Sequence, residues 1–334
     1  MNALVKPMNI TLLAGGVSRE REVSLASGAQ IAAALRAGGH TVFESDISPD
    51  NLSALDHRPS DLVFPALHGT FGEDGQLQEI LESRGIAYVG SGPAASKLAM
   101  DKVAAKSVLA EKCIATPNWQ VVSSGKYKDS WTPRSGIGYP CVIKPIADGS
   151  SMACRMCTNI SQARAHLAES LPQYGAMLVE KFISGPELTV GILDGLALPI
   201  IQIRPAAAFY DYQAKYTRED TEYLFDIALP PAILEKVARM ALETYQCIGS
   251  RHLARVDIMV DQATMEPMVL ELNSLPGFTS HSLVPKAAAK AGISFEELCE
   301  RLAAMAIRDR SPALTDAQAK THKQISTQAS KPAR

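Results

Sequence analysis

Within Ala254 to Gly277, ARVDIMVDQATMEPMVLELNSLPG, four polar side chains stand where a strand pair would ordinarily carry apolar ones. The segment reads as two strands joined by a polar turn at 261–267. Period-two alternation then puts Arg255 and Asp257 on one face, and likewise Glu271 and Asn273. Their same-face neighbours by that alternation, Met259 and Val269, are apolar, which argues against the plain wet side of a hairpin. Carboxylate and amide oxygens without Cys or His are hard ligands, suited to magnesium held jointly with phosphates rather than to zinc. The first expectation is a nucleotide-dependent enzyme.

Other residues fit that chemistry. Strand YPCVIK ends at Lys144, followed by Asp148-Gly149-Ser150-Ser151, so a cation and several backbone N–H groups can surround phosphate oxygens. Glu180, Lys181 and Glu187 in MLVEKFISGPE offer partners for adenine and ribose, although charges leaving a strand are often just solvated. Glu20, at a strand-to-helix turn, is placed to receive the ammonium of a small amino acid, or else serves the helix N-terminus, with Ser24 as its cap. His68 ends LVFPAL beside a glycine-rich loop, near the strand ends where ligands of α/β sheets bind. FYDYQAKY, with Tyr210, Tyr212, Lys215 and Tyr216, reads as a lid that excludes water or as aromatic packing between domains. The AGGVSRE turn lacks the G-x-G-x-x-G pattern, which demotes a dehydrogenase, though Glu44 and Asp46 keep the acidic half of that fingerprint.

These groups need α/β elements to position them. Strand 9–13, helix 25–37 and strand 40–44 form a unit that builds parallel sheets, followed by strands at 62–67 and 87–90 and a helical stretch over 94–112. Shorter strands follow from Trp119 to Phe182, then LTVGILDG, LPIIQIRP, a helix at 232–245, the polar strand pair and a helix at 295–305. The expected division is 1–100, 101–200 and 201–310, with 311–334 a disordered tail. A net charge of −2 gives no reason to expect nucleic acid. No apolar run reaches spanning length and no signal peptide is evident, so a cytoplasmic protein without a membrane partner is expected. Six cysteines, only Cys154 and Cys157 closely spaced, read as buried free thiols rather than a zinc or redox site.

In their order, GGVSREREVS, LHGTFGEDGQLQ, GSG with AMDK, IKPIADGSS, EKFISGPE, FYDYQAKY, ARVDIMV and ELNSLPGFTSHSLVP closely resemble the D-alanine:D-alanine ligases of the ATP-grasp superfamily, over about residues 8–307. The resemblance implies an α/β fold of three domains, the amino-terminal one a Rossmann-like parallel sheet, with ATP between the other two. It implies ligation of two D-alanine molecules for peptidoglycan precursors, ATP as cosubstrate, two magnesium or manganese ions, and a homodimer. Asp257, Glu271 and Asn273 would hold the metals, Glu271 bridging them. Lys102, Lys144, Glu180, Lys181, Glu187 and Lys215 would surround ATP. Glu20 and Ser150 would position the first D-alanine, with Tyr216 bonded to them and His68 close by. Arg255 and the Gly277 N–H would stabilise the oxyanion, and Ser282 and Leu283 would hold the second D-alanine.

Two departures stand out. Ala153 occupies a position where these ligases usually carry glycine, and Phe225-Asp226-Ile227-Ala228 replaces a usual Pro-Ala pair. A sibling ligase with another acceptor stays open, and the altered loop leaves open a silent nucleotide or amino-acid sensor.

Overall fold

The computed structural model describes residues 6–56, 60–148, 153–204 and 221–309. Its first sheet is parallel. Strand β1 (Asn9–Leu13) leads through α1 (Arg21–Ala37) to β2 (Thr41–Ser45), and β1 lies between β2 and β3 (Leu62–Pro65). The apolar runs of β1 and β3 are buried, as central parallel strands require. Gly28 lets α1 close onto this sheet, since a Cβ there would lie 2.6 Å from that of Ala14. The segment expected as a strand at 87–90 contributes one parallel bridge, Tyr88 to Val63. Helix α2 (Gln76–Ser83) covers one side, where Leu77 and Leu81 share a core with Leu13, Val63 and Phe71.

The helix expected over 94–112 is two, α3 (Pro93–Met100) and α4 (Lys102–Glu111). Asp101 breaks it with an extended backbone and caps α4 by accepting from the N–H groups of Val103 and Ala104 at 2.9 and 3.0 Å.

A second, antiparallel sheet comprises β4 (Trp119–Ser123), β5 (Cys141–Pro145), β6 (Arg155–Cys157) and, after α5 (Ile160–Tyr174), β7 (Ala176–Lys181), in the order β4-β7-β5-β6. Cys141 and Ile143 of β5 point into a core with Leu167 and Leu171 of α5. Alternation therefore turns Lys144 to the opposite face.

The third sheet contains β8 (Glu187–Leu193), β9 (Leu196–Ala197), β10 (Ile201–Arg204), β11 (Glu222–Leu224), β12 (Leu253–Val260) and β13 (Pro267–Asn273), in the order β11-β10-β8-β12-β13 with β9 on β8. Because β8 pairs with β10 and β12, the change of sheet falls between Lys181 and Glu187. Gly185 makes that crossing possible, since a Cβ there would meet the Val260 carbonyl at 1.9 Å. Helix α6 (Pro231–Ile248) buries Val237 and Ala241 against Val190, Val256 and Ile258.

Helix α7 (Leu283–Lys290), absent from the sequence reading, precedes α8 (Phe295–Asp309). Helix α8 folds back over the first sheet, where Leu298, Leu302 and Ala306 share one core with Ile10, Leu12, Ile31 and Phe64. Two histidines pin this return. The Met8 N–H donates to His40 Nδ1, whose Nε2 lies 2.9 Å from Glu300, while His252 accepts the Gly90 N–H at 3.0 Å and meets Asp309 at 2.8 Å. No described helix is long and apolar enough to cross a membrane. Residues 311–334, expected as a tail, lie outside the described residues.

Candidate active site

The register of β12 and β13 sets Arg255 opposite Asn273 and Asp257 opposite Glu271. The four polar side chains expected to converge do stand together. One part of the expected alternation fails. The register shifts after Asp257, so Ile258 pairs with Val269 and Leu270 is the extra residue of a bulge. Val269 consequently joins the core under α6 rather than flanking Glu271, and the polar face of β13 ends at the bulge.

Arg255 and Asp257 are both buried. Arg255 donates from Nε to Asp257 Oδ1 at 2.9 Å and from its terminal nitrogen to Oδ2 at 2.7 Å, a forked arrangement that fixes both groups. Thr189 of β8 donates to the same Oδ1 at 2.7 Å. Asn273 accepts the Leu275 N–H at 3.1 Å, which aims its amide along the wall.

Lys102 opens α4 and reaches toward β13. It donates to the Asp148 carbonyl at 2.7 Å and stands 3.8 Å from Glu271 Oε2. Deeper in, Glu180 is buried between Lys106 at 2.7 Å and Lys144 at 2.9 Å. Burial works against the Glu180 anion, but the two ammonium groups overcome it and hold its pKa below the ordinary range. Burial likewise opposes the Lys144 cation, and Glu180 with Glu271 more than compensates, leaving it fully charged.

A cavity of about 650 Å³ joins these elements. Lys102, Arg255, Glu271 and Asn273 line one side, Glu20 and His68 come from the first sheet, and Gly277, Ser282 and Leu283 close the third side. His68 is buried, with Nδ1 3.3 Å from Glu73 and no partner for Nε2 among the described residues. Asp257, Lys144, Glu180, Lys181 and Glu187 lie outside this wall. Lys181 is exposed and Glu187 opens β8 beside the crossing at Gly185. Ser150, Tyr210, Tyr212, Lys215 and Tyr216 lie outside the described residues.

Several sequence expectations change. Ser24 is not a helix cap: it lies inside α1, accepts the Gly15 N–H and donates to the Ala66 carbonyl, both at 2.8 Å, tying two site loops together. Glu44 and Asp46, the acidic half of a dinucleotide fingerprint, are instead paired with Arg36 at 2.7 Å and Arg21 at 2.6 Å. All six cysteines are free, but Cys113 is exposed, and burial pushes the Cys154 thiol up to about 12, which suits an inert thiol. Lys106, Thr189 and Glu73 were missed. Lys106 follows Lys102 by four residues on one helix face, a spacing visible in the sequence.

The donor set also answers which metal chemistry fits. Among the described residues no group of three or more His, Cys, Asp or Glu gathers. Two carboxylates and an amide, with one carboxylate already forked to Arg255, suit magnesium completed by substrate phosphates and do not make a protein-only cage.

Comparison with known proteins gives a consistent picture. Residues 108–304 match the family model described as D-ala D-ala ligase C-terminus, and residues 48–91 match D-ala D-ala ligase N-terminus. The chain is similar to the D-alanine--D-alanine ligase of Syntrophotalea carbinolica, 43% identical over 88% of this chain and 95% of that protein. It is 40% identical to that of Verminephrobacter eiseniae, over 91% and 93%. A crystal structure of D-alanine--D-alanine ligase from Bacillus anthracis complexed with ATP superposes with a TM-score of 0.79 at 33% identity, covering 91% of this chain and 98% of the other.

Proposed function

The chain belongs to the D-alanine--D-alanine ligase family, and on that premise we propose the site residues by which it joins two D-alanines at the expense of ATP. The family's role is ATP-dependent D-alanyl-D-alanine synthesis for peptidoglycan, and the chain is a ligase of that kind. The observation carrying the assignment is the meeting of Lys102, Glu271 and Arg255 with Glu20 and His68 around one cavity.

A carboxylate resists attack by an amine because it is already anionic. One oxygen of the first D-alanine carboxylate attacks the γ-phosphorus of ATP, the bond to the β-phosphate oxygen breaks, and ADP leaves. Lys102, Lys144 and Lys215 bind and orient the phosphates, Glu180 keeps Lys144 in place, and Lys181 and Glu187 serve the nucleoside. Asp257, Glu271 and Asn273 would hold magnesium, which would supply charge neutralisation for the phosphates when bound. Glu20 takes the first ammonium, beside His68, Ser150 and Tyr216.

The deprotonated amine of the second D-alanine, held by Ser282 and Leu283, then adds to the acyl carbon. The developing oxyanion is met by Arg255 and the Gly277 N–H, and collapse expels phosphate, which takes up the proton lost by the amine, and leaves the peptide bond. We further propose the three-domain division, a homodimer and a cytoplasmic location. A panel of D-alanine, L-alanine and D-lactate acceptors scored by ADP release tests the reading: D-alanine should dominate, and preference for D-lactate would reassign the acceptor.

A further inference from the structure

Lys106 has a role that binding of substrate does not explain, because it is fully buried and does not line the cavity. Its bonds join two sheets. It contacts Glu180 Oε1 at 2.7 Å in β7, and Glu180 Oε2 in turn holds Lys144 at 2.9 Å in β5. It also donates to Thr116 Oγ1 at 2.5 Å. The Thr116 hydroxyl donates to the Val269 carbonyl in β13 at 2.7 Å, while the Val269 N–H donates to the Ala115 carbonyl at 2.9 Å.

Val269 is the residue at which β13 resumes pairing after the bulge, two positions from Glu271. The chain of contacts therefore runs from Lys144 through Glu180, Lys106 and Thr116 to the backbone that carries Glu271. Lys106 also stands 5.7 Å above the Trp119 ring, which fixes the ammonium on a further side. Lys102, one helical turn earlier on α4, meets Glu271 directly at 3.8 Å, so one short helix touches both halves of the site. Two ammonium groups share one carboxylate in this network.

We propose that Lys106 and Thr116 form a positioning relay that fixes Lys144, on the second sheet, relative to Glu271, on the third, across the nucleotide cleft. This rests on the ligase reading above. Neither residue touches substrate. Their work is to keep a phosphate-binding cation and a metal-binding carboxylate at one spacing, and a site loosened by a fraction of an ångström loses in-line geometry.

The test uses the full-length enzyme with Lys106→Met, Thr116→Val, Thr116→Ser and the Lys106→Met/Thr116→Val pair. ATP KM and kcat are measured together with the affinity for ADP in the absence of D-alanine. Lys106→Met leaves Glu180 paired with Lys144 alone and cuts its link to Thr116, and should raise ATP KM by roughly tenfold or more. Thr116→Val should lower kcat and raise KM, Thr116→Ser should restore both, and the double variant should be no worse than Lys106→Met alone. Should Lys106→Met fail to fold, the Val and Ser variants at 116 decide the matter. Variants with a lowered thermal midpoint but wild-type KM, kcat and ADP affinity would overturn the relay, as would additive losses. A wild type that makes no dipeptide but loses ADP affinity on Thr116→Val would sink the ligase reading and leave the relay standing.

Discussion

Asp257 and Glu271 lie directly opposite one another on β12 and β13, the last matched pair before the bulge turns the polar face back into the core. One carboxylate is forked to Arg255 and the other lies 3.8 Å from Lys102, so each of the two has its own cation.

Replacing Glu271 with Gln keeps the shape and removes the charge. Turnover should fall by about two orders of magnitude or more, because a neutral amide is a poorer magnesium ligand than the carboxylate proposed for that role. The thermal midpoint should stay close to wild type, since the side chain lines a cavity and is not buried in a core. Near-normal ADP release at the same magnesium concentration would remove Glu271 from the metal set.

His68 should discriminate between substrates. It lines the cavity shared with Glu20, and its Nε2 has no partner among the described residues, so His68→Ala should raise the KM for D-alanine roughly tenfold and leave the KM for ATP unchanged. Steady-state kinetics with each substrate varied in turn checks this. Equal changes in both constants would return His68 to a packing role.

The backbone at Ala153 is left-handed, with φ of 50°, where an alanine is disfavoured and a glycine is not. Ala153→Gly should therefore stabilise the fold, by up to about 1 kcal/mol and a few degrees in thermal midpoint. The same residue accepts a hydrogen bond from His166 Nε2 through its carbonyl at 2.8 Å, so the gain depends on that anchor surviving. A lowered midpoint would show that unfolded-state entropy outweighs the relieved strain.

These cases show what was legible. The polar strand pair could be read because charged residues at period two conflict with burial, and β1, α1 and β2 because their apolar spacing is regular. The bulge could not, since Leu270 looks like any alternating residue until its partner strand is known. Helix α8 had a visible apolar stripe, but its destination on the first sheet depends on contacts hundreds of residues apart. Lys106 carried a helical spacing without a sign that it would be buried, because its carboxylate partner arrives from β7.

Stability should depend on pH through His252. Burial lowers its pKa below the ordinary histidine value and outweighs the bond to Asp309, which raises it; the Gly90 N–H occupies Nδ1, so a second proton would break a bond. The unfolded chain then binds more protons between the folded pKa and the ordinary one. Stability contributed by this residue is present above about pH 6.5 and is lost as pH falls below it. Thermal midpoints from about pH 7 to 5 should drop more steeply for wild type than for His252→Asn, a residue that tolerates the positive φ of 64° found there. Parallel curves would contradict this assignment.

The central claim is that this cavity activates a carboxylate by phosphoryl transfer and hands it to an amine. The most direct measurement is the product balance of the purified enzyme supplied with ATP, magnesium and D-alanine. Chromatography should find D-alanyl-D-alanine, ADP and inorganic phosphate in equal amounts. AMP with pyrophosphate, or ADP released without dipeptide, would contradict the account.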